Sequence, residues 1–178
     1  TSKVDIANVW GQTGRFGGFA LGGAVSGTSS FNDSGHVDTF NTASQYTLTQ
    51  AYLNYQYSNK VDAYLGNIIL STPWVNSVGS HGGVVYGMGV NPYQGLLVNV
   101  QPLPSLFLTG FTAWGYMPYP DNWVSPRTFF NITNSLLKNN IPTSGPSGVG
   151  LRWNPVDSYS GQLWLYNFAD YANMAYVD

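Results

Sequence analysis

Arg152 is the residue with the sharpest chemical meaning in this chain. It lies in Gly148–Asn154, where Val149, Leu151 and Trp153 are apolar and Gly150, Arg152 and Asn154 are not. Successive side chains of a strand point to opposite faces, so the guanidinium is expected opposite the greasy face. A fixed cation on such a surface supplies a field and hydrogen-bond donors to a passing solute; it breaks no bonds. A second set lies upstream. Ala51, Leu53, Tyr55 and Tyr57 share one face, and Gln50, Tyr52, Asn54 and Gln56 the other. In Tyr93–Gln101, Leu96, Val98 and Val100 form the apolar row, with Asn99 and Gln101 opposite. Covalent chemistry has little to draw on. His36 and His81 fall in long connecting segments, and no H-x-x-x-H, G-x-S-x-G or cysteine accompanies them. Gly17-Gly18 and Gly22-Gly23 lack the strand–turn–helix context of a nucleotide site. The expectation is no enzyme, no metal and no cofactor.

The elements that must position these residues are strands. The spacing predicts Val4–Trp10, Arg15–Ser26, Tyr46–Tyr57, Val61–Leu70, Tyr93–Gln101, Leu106–Tyr116, Gly148–Asn154 and Ser160–Phe168, with another beginning near Met174. Most approach the roughly 9–11 residues that cross a bilayer as a tilted strand. One face is apolar and the other polar but uncharged, which is the inside-out pattern of a transmembrane barrel. Connections alternate in length. Ser58–Lys60, Pro102–Ser105 and Pro155–Tyr159 are short, whereas Thr28–Ser44, Ser71–Pro92 and Met117–Ser147 are long. Short turns on one rim and long loops on the other describe an antiparallel up-and-down β-barrel, all-β, of which this chain supplies about seven to nine strands. In Arg15–Ser26, Phe19, Leu21 and Val25 point outward. Gly18, Ala20, Gly22 and Ala24 point inward, leaving room for something to pack against that wall. Leu106–Tyr116 is ambiguous, because Leu106, Leu108 and Trp114 compete with Phe107 and Phe111 for the outer face.

Composition agrees. Only 8% of the 178 residues are charged, against roughly 25% in a usual soluble domain. All eight acids are Asp, and the cations are Lys3, Arg15, Lys60, Arg127, Lys138 and Arg152. So few charges cover a lipid-facing surface better than a soluble one. No basic patch for nucleic acid is present, and zero cysteine excludes a disulfide framework. No run reaches the roughly 18–20 apolar residues of a spanning helix. No leader pattern opens the chain, so an export signal is expected to have been removed already. No domain boundary is visible, and residues 1–178 read as a single β-barrel domain.

Several stretches together resemble the OprD-type outer-membrane porins. They are Leu48-Thr-Gln-Ala-Tyr-Leu-Asn-Tyr, Tyr64-Leu-Gly-Asn, Leu70-Ser-Thr-Pro-Trp-Val-Asn-Ser, Gln101-Pro-Leu-Pro-Ser-Leu-Phe-Leu-Thr-Gly, and Gly150-Leu-Arg-Trp-Asn-Pro through Leu165-Tyr-Asn-Phe-Ala-Asp-Tyr. They occur in family order and cover most of the chain from about Phe16. The resemblance implies a barrel of roughly 18 strands, monomeric or homotrimeric, of which this chain is an incomplete N-terminal part. The absence of a terminal aromatic at Val177-Asp178 points the same way. It also implies the outer membrane of a Gram-negative bacterium, contact with its lipid and lipopolysaccharide, and passive diffusion of amino acids, peptides, organic acids or ions. The sequence departs from the family at Gly66-Asn67-Ile68 and Ser71, where charge is common. The inward arginines are thinned to Arg152 and Arg15, so a preference for one charge type does not carry over.

Met117–Ser147 is the longest connection, and loops of such length are usually functional or disordered. The resemblance makes residues 117–147 a pore-constricting loop, with Asp121, Arg127 and Lys138 on it and Arg152 facing it. Gln50, Tyr52, Asn54, Gln56, Asn99 and Arg152 are the expected pore-lining residues. The expected function is an outer-membrane porin with a water-filled lumen. The alternative is a secreted or surface β-sandwich with a binding or structural role; an outer-membrane enzyme barrel is a more distant rival.

Overall fold

The computed structural model describes residues 3–31, 45–77, 92–116, 144–156, 158–169 and 172–178. Strand-forming alternation translates into nine strands: β1 (Lys3–Gln12), β2 (Phe19–Phe31), β3 (Gln45–Tyr57), β4 (Val61–Ile68), β5 (Tyr93–Leu103), β6 (Leu106–Tyr116), β7 (Pro146–Val156), β8 (Tyr159–Phe168) and β9 (Ala172–Val177). They form one sheet in chain order, every pair antiparallel. This is the up-and-down meander expected from the alternating connections. Most bounds shift by one or two residues from expectation, and β2 differs most. β2 starts at Phe19 rather than Arg15, because Gly17 and Gly18 take φ of 57° and 88° and turn the chain. It then runs to Phe31, into residues read as loop. The β8–β9 connection is only three residues, although it lies on the rim that otherwise carries the long loops.

The β3–β4 hairpin closes through Ser58 and Asn59, with φ of 51° and 53°, and Lys60 N donates to Tyr57 O at 3.0 Å. Two consecutive positive φ values are the type I′ geometry that matches strand twist. Asn visits this region readily; serine does so at a cost. Ser58→Asn is therefore expected to stabilise the fold by about 0.5–1 kcal/mol. The denaturant midpoint of the full-length protein in detergent measures it.

Register sorts the side chains into rows. Tyr57, Val61, Val100, Leu108, Leu151, Leu163 and Val177 are successive cross-strand partners from β3 to β9. All are apolar or aromatic, and they point to the convex side. Another convex row runs through Phe19, Tyr55, Ala63, Val98, Gly110, Val149, Leu165 and Ala175. The concave row between them reads Gln56, Asp62, Asn99, Thr109, Gly150, Trp164 and Tyr176. β6 is thereby settled. Leu108 and Trp114 face outward, while Phe111 is buried on the concave side with Ala113.

Candidate pore surface

The concave face begins with glycines that rings lie upon. An added Cβ on Gly22 would fall 2.3 Å from the Tyr52 ring, on Gly148 2.6 Å from Phe111, and on Gly150 2.5 Å from Trp164. An aromatic side chain from each neighbouring strand thus lies flat against the wall where the glycine leaves space. Tyr52 over Gly22 is the packing that the small inward residues of β2 led us to expect.

Onto this wall folds a short arm, residues 70–77. Leu70 N donates to Ser77 Oγ at 2.9 Å and Ser77 N to Leu70 O at 2.8 Å. Thr72 Oγ1 donates to Val75 O at 2.8 Å and accepts from Val75 N at 3.0 Å. The backbone groups of a tight turn are thereby satisfied locally, which lets it leave solvent. Leu70 and Val75 are buried in one cluster with Phe111, Tyr166 and Phe168. At the tip, Trp74 stacks on Tyr166 (centroids 5.3 Å, planes 29° apart) and meets Tyr176 edge-on at 5.8 Å. The arm leaves β4 and lands on β8 and β9, so it crosses the concave face.

Beneath the arm is a cavity of about 800 Å³, bounded by Ser71, Thr72 and Pro73 above and by Asn59 and Lys60 at the short-turn rim. Asn99, Gln101, Thr109, Arg152, Gln162 and Trp164 contribute to its wall. Asn99 Oδ1 accepts from Thr109 Oγ1 at 2.9 Å, and Gln162 Oε1 accepts from Trp164 Nε1 at 3.0 Å. The Arg152 guanidinium carbon sits 4.7 Å from the centroid of Phe107, its partner in register, a cation–π arrangement. Asp62 is tied down: Oδ1 accepts from Asn54 Nδ2 at 2.6 Å and Oδ2 from the Tyr64 hydroxyl at 2.7 Å.

The expected site residues separate into groups. Asn99 and Arg152 meet the large cavity. Gln50 and Tyr52, with Asn99 again, line a smaller recess of about 340 Å³ beside Tyr64. Gln56 is half-buried, in register with Asp62. Asn54 is on the concave side but 0% exposed, its amide spent on Asp62 and the Ala63 carbonyl, so it meets neither cavity. Asp121, Arg127 and Lys138 lie outside the described residues, as do His36 and His81 and nearly all of residues 117–147. Among the described residues no group of His, Cys, Asp and Glu could hold a metal ion. The sequence reading missed the arm and Trp74. Its signal was Ser71-Thr72-Pro73 answered by Ser77, side chains that close tight turns.

The fold compares closely with two crystal structures from Pseudomonas aeruginosa. OccD3 (OpdP) superposes with a TM-score of 0.70 at 15% identity, covering 98% of this chain and 38% of that one. OpdL superposes with a TM-score of 0.61 at 16% identity, covering 99% of this chain and 42% of that one. This is the OprD-type porin fold. The chain thus spans about two-fifths of the length of these OprD-type barrels. No protein-family profile matches the sequence, and neither does any curated protein. The OprD-type likeness is therefore one of architecture.

Proposed function

We propose that the protein is an outer-membrane porin whose nine strands form part of a barrel wall. Small polar solutes would diffuse through a lumen on the concave side. One observation carries the reading: register places two apolar rows on the convex face, each spanning at least seven strands, with a polar row between them facing inward. Leu21, Leu53, Leu65, Leu151 and Leu165 stay exposed, far more contiguous apolar surface than a soluble monomer tolerates. The β-sandwich alternative needs a second sheet over these rows, and the described residues form only one. The arm at residues 70–77 narrows the lumen in this reading, and residues 117–147 with Asp121, Arg127 and Lys138 form a second narrowing element. Gln50, Tyr52, Gln56, Asn99 and Arg152 wet the passage. No covalent chemistry is involved.

The test is conductance. Full-length protein extracted from outer membranes should migrate differently when unheated and heated, and should open ion-conducting channels in planar bilayers. A protein soluble without detergent and silent in bilayers would overturn the reading. Within a conducting channel, Arg152→Ala should raise the cation-to-anion permeability ratio about twofold, since fixed charge beside a narrow passage sets selectivity. An unmoved reversal potential would remove Arg152 from the passage.

A further inference from the structure

Resting on the porin reading, we propose that Lys60 and Arg152 form a cationic collar at the short-turn mouth of the lumen, and that the channel passes small inorganic anions in preference to cations. The two residues come from separate elements. Lys60 ends the turn that leads into β4, and Arg152 stands on β7, three strands along the sheet. Both nevertheless line the wall of the large cavity, together with Gln101, Phe107 and Gln162. Lys60 O accepts from Gln101 N at 2.7 Å, and Arg152 is in register with Phe107 on one side and Gln162 on the other. These residues lie against the short-turn rim, so a solute crossing that end of the cavity meets both cations. In bacterial barrels this rim faces the periplasm.

Neither cation is neutralised. Among the described residues, the Lys60 ammonium and the Arg152 guanidinium make no ion pair and no hydrogen bond. Arg152 rests 4.7 Å from the Phe107 ring centroid, a contact that holds the guanidinium and leaves its charge and its N–H donors unspent. Both residues are exposed, so water and ions reach them. Among the described residues, one carboxylate shares the wall. Asp62 is in register with Asn99, one step further from the rim, and its two oxygens already accept from Asn54 and Tyr64. Asp178 lies beyond Gln162, whose Nε2 donates to its Oδ2 at 3.3 Å, and is not part of the cavity wall. Two cations against one carboxylate leave the wall net positive. An ion in a narrow passage stays within a Debye length of that wall, about 8 Å at physiological ionic strength, so the sign of the wall sets which ion passes.

The experiment measures the reversal potential of the full-length protein in planar bilayers under a potassium chloride gradient. Chloride should be favoured over potassium about threefold, and the preference should fade as salt is raised at both sides. Lys60→Gln should lower the chloride preference about twofold, and Lys60→Arg should keep it. Lys60→Gln combined with Arg152→Ala should carry the ratio to about one or below, because Asp62 then dominates the wall. The Lys60 side chain holds no partner, so these variants should fold, and heat-modifiable migration on a gel checks that they do. A conducting channel that favours potassium, or neither ion, overturns the collar and leaves the porin standing. A chloride preference that Lys60→Gln does not move overturns the collar as well, since the selecting charge then lies elsewhere. Absence of any conductance overturns the porin reading and the collar with it.

Discussion

Trp74→Ala is expected to raise the single-channel conductance of the full-length protein about twofold and to make it flicker, because pore width controls flux. The arm tip is held by two ring contacts, on Tyr166 and Tyr176. Each such contact contributes roughly 0.5–1.5 kcal/mol beyond simple burial. Losing both removes about 1–3 kcal/mol, a shift of roughly 5- to 150-fold between docked and undocked arm. The base of the arm stays in place, since Leu70, Val75 and Ser77 remain buried and Leu70 and Ser77 hydrogen-bonded. Released tips should therefore fluctuate rather than depart, and open-channel noise should grow with mean current. Trp74→Phe, which keeps a ring, should sit between wild type and the alanine variant. Identical current and noise in all three would place the narrowest passage elsewhere.

Leu151→Arg should destabilise the barrel by about 2–4 kcal/mol, the cost of an Arg at mid-depth on a lipid-facing strand. Leu151 stands between Leu108 and Leu163 in one of the two convex apolar rows. One residue on, the opposite change is mild: Arg152→Leu removes a cation from the concave side and leaves the convex rows untouched. The pair is a strict test of register, since a slip by one residue would exchange the two outcomes. Urea titration of both variants, refolded into liposomes, measures the difference. Equal destabilisation of the two would contradict the assignment of faces.

Much of this arrangement is legible from the chain, because a barrel wall is written at period two. Val149, Leu151 and Trp153 against Gly150, Arg152 and Asn154 give the faces of β7 directly, and β3, β5 and β8 read the same way. β6 does not, because both its faces are apolar. Phe111 goes inward only because Gly148, on the neighbouring strand, leaves room for its ring, and that pairing is invisible along β6 itself. Thr28–Phe31 read as loop from its small polar residues, yet pairing with β1 extends β2 through it. The arm was hidden for a stronger reason. Trp74 gains its partners, Tyr166 and Tyr176, on strands about ninety to a hundred residues later in the chain, and no local periodicity encodes a contact of that range. Asn54 shows the converse: parity puts it on the concave face, but only the carboxylate of Asp62 decides that it is covered.

The rings lying on glycines have a consequence for how the proposed channel could change over generations. In the porin reading, the bore at each level would be set by two residues on adjacent strands, one contributing bulk and the other the hollow that receives it. A lone mutation at Gly150 drives Trp164 away from the wall, and a lone loss of Trp164 leaves a groove. Only paired changes move the bore smoothly. Diameter should thus be inherited in couples such as Gly22 with Tyr52, Gly148 with Phe111 and Gly150 with Trp164. Anyone resizing the channel should exchange the members of a couple together.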